Sequence, residues 1–138
     1  MFNEMQEMLE RAAAAMLTGR TDELAQRCHY PMVVHSADRV LPFQTPQDYA
    51  ATLAHVGTLM RDSHKVTAIT SRLRSIEVPR SGRFRAFARM TCHFGNGCAP
   101  QTTDVTYFCR LTGSEIKVEM VEMDCALLPD QPIRGRVA

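Results

Sequence analysis

The sequence predicts an α+β fold in which helices of the first half pack on an antiparallel sheet built from the second half. Two observations carry this. Apolar residues recur every three or four positions in residues 2–17 and again in 46–60, as on one face of a helix. From residue 64 onward, four segments rich in β-branched and alternating apolar residues follow one another with turn formers between them. Helices first and a meander afterwards is the order of an α+β domain rather than an alternating α/β one.

The first helix places Phe2, Met5, Leu9, Ala12 and Met16 on one side, with Glu4, Glu7, Glu10 and Arg11 between them. Gly19 ends it, and Thr21 with Asp22 and Glu23 is expected to cap a second short helix running through Cys28. Tyr30-Pro31 then stops that helix, because proline disfavours helical geometry in the residue before it. Met32–His35 and Val40–Phe43 read as a short hairpin around a polar turn. Thr45-Pro46-Gln47-Asp48 is a helix start, with a threonine cap, proline at the first helical position and an acid three residues after the cap. The third helix runs to about Met60 and presents Tyr49, Leu53, Val56 and Met60 on one face. Strands are expected over 64–78, 83–94, 102–111 and 116–124. In the second of these, Phe84, Ala86, Ala88, Met90, Cys92 and Phe94 alternate with mostly polar residues.

At 138 residues without an internal repeat, the chain is expected to be a single domain over 1–138, large enough to fold without disulfides or a structural metal. With 16 basic and 15 acidic side chains it has no long-range pull toward nucleic acid or membrane, and neither is expected as a partner. The charges are unevenly spread. Residues 61–90 carry seven Arg and one Lys against Asp62 and Glu77, whereas 104–130 carry six acids against Arg110 and Lys117. This pattern suits neighbouring strands with complementary outward charges better than a nucleic-acid patch, because base-stacking aromatics are sparse. The acidic, interrupted N-terminal stretch lacks the features of a signal peptide, no apolar run is long enough to span a bilayer, and five cysteines are an odd number. A reducing cytoplasmic setting is expected.

Four segments together resemble the nuclear transport factor 2-like superfamily, including its ketosteroid-isomerase-like and SnoaL-like proteins. They are Leu17-Thr18-Gly19-Arg20-Thr21-Asp22-Glu23-Leu24, Tyr30-Pro31, Thr45-Pro46 and Tyr107-Phe108, and the resemblance spans nearly the whole chain. It implies a strongly curved sheet forming a cone (an α+β barrel), a small-molecule pocket between helices and sheet, and a homodimer. Steroid isomerisation is not implied. Its carboxylate base, tyrosine and protonated aspartate would fall at Ser36, Ala12 and near Thr106, and all three groups are missing.

A one-residue slip across Pro31 would turn His35 rather than Ser36 into the cone. His35 is then the candidate catalytic acid or base, with Asp38 to orient it. The alternative is a surface strand residue beside a turn former. Tyr30, Ser36, Tyr49 and Tyr107 are the candidate ligand-pocket residues, because hydroxyls on apolar bodies suit a wall that positions a small molecule. No metal is expected, since adjacent Cys92 and His93 point to opposite faces of a strand. No cofactor is expected, because no phosphate-binding loop is present. The function these readings support is binding of a small apolar molecule, extended to a cofactor-free lyase or isomerase if a reactive group reaches it. A non-catalytic homodimerisation or assembly module is the alternative.

Overall fold

The computed structural model describes residues 1–136; Val137 and Ala138 of the expected domain lie outside the described residues. Helices α1 (Phe2–Thr18) and α2 (Thr21–Gln26) lead into strands β1 (Cys28–Ser36) and β2 (Arg39–Phe43), and α3 (Pro46–Thr58) follows. A π-helical turn, Leu59–Ser63, continues α3 into the long strands β3 (Val66–Ile76), β4 (Arg83–Phe94) and β5 (Gln101–Thr112), and β6 (Glu115–Glu122) completes a six-stranded sheet.

The strand order is β2-β1-β6-β5-β4-β3, so the sheet has two edges and is not closed. The expected antiparallel sheet is in fact mixed, because β1 runs parallel to β6, with Val33, Val34 and His35 opposite Met120, Val121 and Glu122. A parallel neighbour requires a long crossover. Here everything from β2 to β5 lies between the two partners in the chain, so local pattern gives no hint of the pairing.

Two local expectations shift for identifiable reasons. Helix α2 stops at Gln26, and Tyr30-Pro31 lies inside β1. The β1–β6 ladder breaks between Cys28 and Val33, and the proline, which has no N–H to give, sits in that break. Thr21 does not cap α2: its hydroxyl is buried and donates to the Ala50 carbonyl at 2.9 Å, tying α2 to α3. Thr45 does cap α3, accepting from the Asp48 N–H at 3.2 Å.

One sheet face packs under the helices. Val34, Ile69, Leu73, Phe84, Ala86, Ala88, Val105, Cys109, Val118 and Val121 form it, joined by Met5 and Leu9 of α1 and by Phe43, Ala50 and Val56. Each large aliphatic or aromatic side chain so buried contributes roughly 1.5–3 kcal/mol. Helices α1 and α3 approach so closely that a Cβ on Gly57 would collide with the Met16 carbonyl oxygen. The segment after β6 folds back over α3, where the Ile133 N–H meets Thr52 Oγ1 at 2.9 Å and the Gly135 N–H meets Asp48 Oδ1 at 2.8 Å. On the opposite sheet face, ion pairs cross between strands and bring the basic and acidic stretches side by side. Arg89 meets Asp104 at 3.0 Å, and Glu119 meets Arg110 at 2.9 Å and Arg83 at 3.3 Å.

Candidate functional site

Helices α1 and α2 and the inner face of β5 and β6 surround a pocket of about 630 Å³, within the size range of small-molecule sites. Met8, Leu9, Ala12 and Ala15 of α1, Leu24 of α2, and Ile116, Val118 and Val121 of β6 supply its apolar walls. Three polar side chains reach its interior: Cys28, Tyr49 and Tyr107.

Each is placed by a different element. Cys28 opens β1 opposite Val118. Tyr49 sits in the first turn of α3, where the Thr45 cap fixes the helix start, and its ring packs against Phe43 with centroids 4.9 Å apart. Tyr107 points inward by strand alternation, between Val105 and Cys109 on the same face. Tyr49 is only 8% exposed. Neither its hydroxyl nor that of Tyr107 has a hydrogen-bond partner among the described residues, although both line the pocket.

Burial pushes the Tyr49 and Tyr107 hydroxyls well above the ordinary tyrosine range and the Cys28 thiol up to about 12. All three groups therefore keep their protons at neutral pH. They can donate hydrogen bonds to a ligand, and they are poor bases and poor nucleophiles. The exposed mouth carries Glu4, Glu7 and Arg11 of α1, Glu23 of α2, Arg27 just after it, and Glu115, which is paired with Lys117 at 3.2 Å.

The site residues expected from sequence divide cleanly. Tyr49 and Tyr107 line the pocket. Tyr30 lies beside Cys28 but spends its hydroxyl on the Ala25 carbonyl at 2.6 Å, fastening β1 to α2. Ser36 faces inward and is buried, so the unslipped register holds. Its Oγ accepts from the Cys125 N–H at 3.3 Å, away from the pocket. His35 is exposed, as one residue's difference in a strand requires. Asp38 is exposed in the turn and paired with Arg39 at 3.4 Å. Neither of the two belongs to the pocket lining. Ala86 and Ala88 on the inner face of β4 are buried and lie outside the pocket lining. Sequence reading missed Cys28 by assigning it to a helix; the alternation Cys28, Tyr30, Met32, Val34 was the available signal.

No protein-family model matches the sequence, and no curated protein matches it. Solved structures do. A domain of unknown function with a cystatin-like fold from Nostoc punctiforme superposes with a TM-score of 0.70 at 8% identity, covering 88% of this chain and 75% of that one. A nuclear transport factor 2-like protein of unknown function from Shewanella oneidensis gives 0.66 at 12% identity over 89% and 98% of the two chains. A proposed scytalone dehydratase from Novosphingobium aromaticivorans gives 0.61 at 12% identity over 97% and 93%. The chain thus has the nuclear transport factor 2-like cone fold, of the α+β class. At these identities the likeness concerns architecture.

Proposed function

We propose that the protein binds a small, mostly apolar molecule in the pocket beneath α1, with an oxygen of the ligand accepting from the hydroxyls of Tyr49 and Tyr107. The observation that carries this reading is the pair of hydroxyls without protein partners set among the apolar side chains of α1 and β6 in the inner part of the cavity. Both hydroxyls open onto the cavity with no protein partner, so their hydrogen bonds are free for the oxygen of a ligand. A cofactor-free lyase or isomerase step would use the same two donors to polarise a carbonyl. It would also need a proton acceptor, and the interior groups all hold their protons while His35 and Asp38 lie outside. Binding is therefore the function the geometry favours.

The test is a thermal-shift and equilibrium-dialysis screen of uncharged aromatic ketones and phenols. Binders should raise the melting temperature by mass action. Tyr49→Phe and Tyr107→Phe should each weaken binding by about fivefold to tenfold, the worth of one hydrogen bond, while His35→Ala leaves it unchanged. No binding across the screen, or binding indifferent to both tyrosines, would overturn the reading.

A second reading concerns self-association. Val33, Met120 and Phe108 are register neighbours on the outer sheet face, and Phe87 lies nearby on the same face, its ring 5.5 Å from the Arg85 guanidinium. All four are only half-buried. We propose that a second copy covers this row, since an apolar strip on a sheet calls for a cover. Light scattering at micromolar concentration should report twice the 15.5 kDa of the chain, and Phe108→Asp should return the monomer mass. A monomer of the unaltered protein would refute it.

A further inference from the structure

Every ionisable group at the pocket can be sorted by depth. Inside are Cys28, Tyr49 and Tyr107, with Tyr30 just behind Cys28, and burial keeps all four in their neutral forms. No lysine, arginine or histidine accompanies them: the other interior lining residues are Met8, Leu9, Leu24, Ile116, Val118 and Val121, with alanines of α1. The cations stand at the mouth and are exposed. In net charge Arg11 and Arg27 offset Glu7 and Glu23, although neither pair stands within ion-pair distance. Lys117 is held by Glu115, which leaves Glu4 as the uncompensated charge of the mouth.

Resting on the binding function proposed above, we infer that the pocket takes its ligand only in an uncharged form and rejects the anion of the same molecule. An anion would pass a mouth of net negative charge and then lose its hydration where no counter-charge awaits it. Two hydroxyl donors recover part of that loss through charge-assisted hydrogen bonds. They serve a neutral carbonyl or phenol without incurring it. The ligand class is therefore an uncharged, oxygen-bearing aromatic or alicyclic molecule, and carboxylates of the same shape are excluded. For a ligand that ionises near neutrality, the ligand's own titration and not the protein's sets the pH dependence of binding.

Two probes of fixed and variable charge separate this inference from the binding reading. 2-Acetylnaphthalene is uncharged at every pH, and its affinity should stay constant from about pH 5.5 to about pH 8.5, the window in which neither carboxylates nor the buried hydroxyls change charge. 4-Nitrophenol ionises within that window. Its apparent affinity should fall roughly tenfold per pH unit above its own pKa, and the bound molecule should absorb as the phenol rather than the yellow phenolate. Met8→Lys, at a half-buried wall position, should raise the affinity for the phenolate relative to that for 2-acetylnaphthalene at least about tenfold, since both probes lose the same apolar contact and only the anion gains a counter-charge.

Phenolate bound by the unaltered protein, a neutral phenol refused while the ketone binds, or a lysine that leaves the preference unchanged would each overturn the inference with the binding reading intact. Failure of both probes to bind would overturn the binding reading itself.

Discussion

The side chains that burial leaves without partners give the sharpest expectations at the residue scale. Ser71 Oγ on β3 is the one buried side-chain oxygen or nitrogen that has no hydrogen bond among the described residues. Ser71→Ala removes an unsatisfied group and nothing that bonds, so it should stabilise the fold by about 1 kcal/mol in urea unfolding. A loss of stability would show that the hydroxyl has a partner. Cys28 and Cys109 titrate near 12 when folded, against 9.0 ordinarily. Below pH 9 both states hold these protons. Above it the unfolded thiols ionise first, so the stability they lend is lost as pH rises from 9 to 12. Melting curves should fall across that range, less steeply in Cys109→Ala. At pH 8 iodoacetamide should modify exposed Cys98 at least about a hundredfold faster than Cys28, whose thiolate is scarce. Equal rates would mean that the pocket thiol is not desolvated.

At the scale of elements, the exposed edge of β3 is managed by a single glutamine. Gln6 of α1 gives its amide N–H to the Ser71 carbonyl at 2.9 Å and accepts the Leu73 N–H at 2.6 Å. Its side chain thereby occupies the place of a missing neighbouring strand. Gln6→Ala should cost about 2 kcal/mol and should increase amide exchange at Leu73 more than at Ala88 on the inner strand β4. Unchanged exchange would show that the edge does not depend on it. Gly57→Ala probes the helical layer. The added methyl meets the Met16 backbone, so a drop of about 3 kcal/mol or more is expected by calorimetry, and with it a displaced α1 wall in the pocket.

For the molecule as a whole, what could be read from sequence was what repeats locally. The alternation of residues 83–94, the Thr45–Asp48 helix start and the α1 helix are each set by neighbours a few residues away and stand in the structure, although Phe2 of the expected α1 face is exposed. The β1–β6 pairing, the Thr21 bond to α3 and the pocket beneath α1 depend on contacts between residues far apart in the chain, and composition carries no trace of them. Tyr49 and Tyr107 were legible as pocket-lining residues because a hydroxyl on an apolar periodic face is conspicuous. Cys28 was not, because a proline three residues later made a strand look like the end of a helix.

The parallel pairing of β1 with β6 also sets a timetable for synthesis. The first hairpin emerges early, yet the strand it must lie against is completed only at Glu122. At roughly 5–20 residues per second of translation, β1 and β2 wait on the order of ten seconds with their inner faces, Met32, Val34, Leu41 and Phe43, unclaimed by a sheet. Nascent chains halted before residue 115 should therefore remain protease-sensitive and bound by chaperones through this hairpin. Chains extended by an appended linker of a few dozen residues, so that the last strand clears the ribosome, should become resistant in a single step.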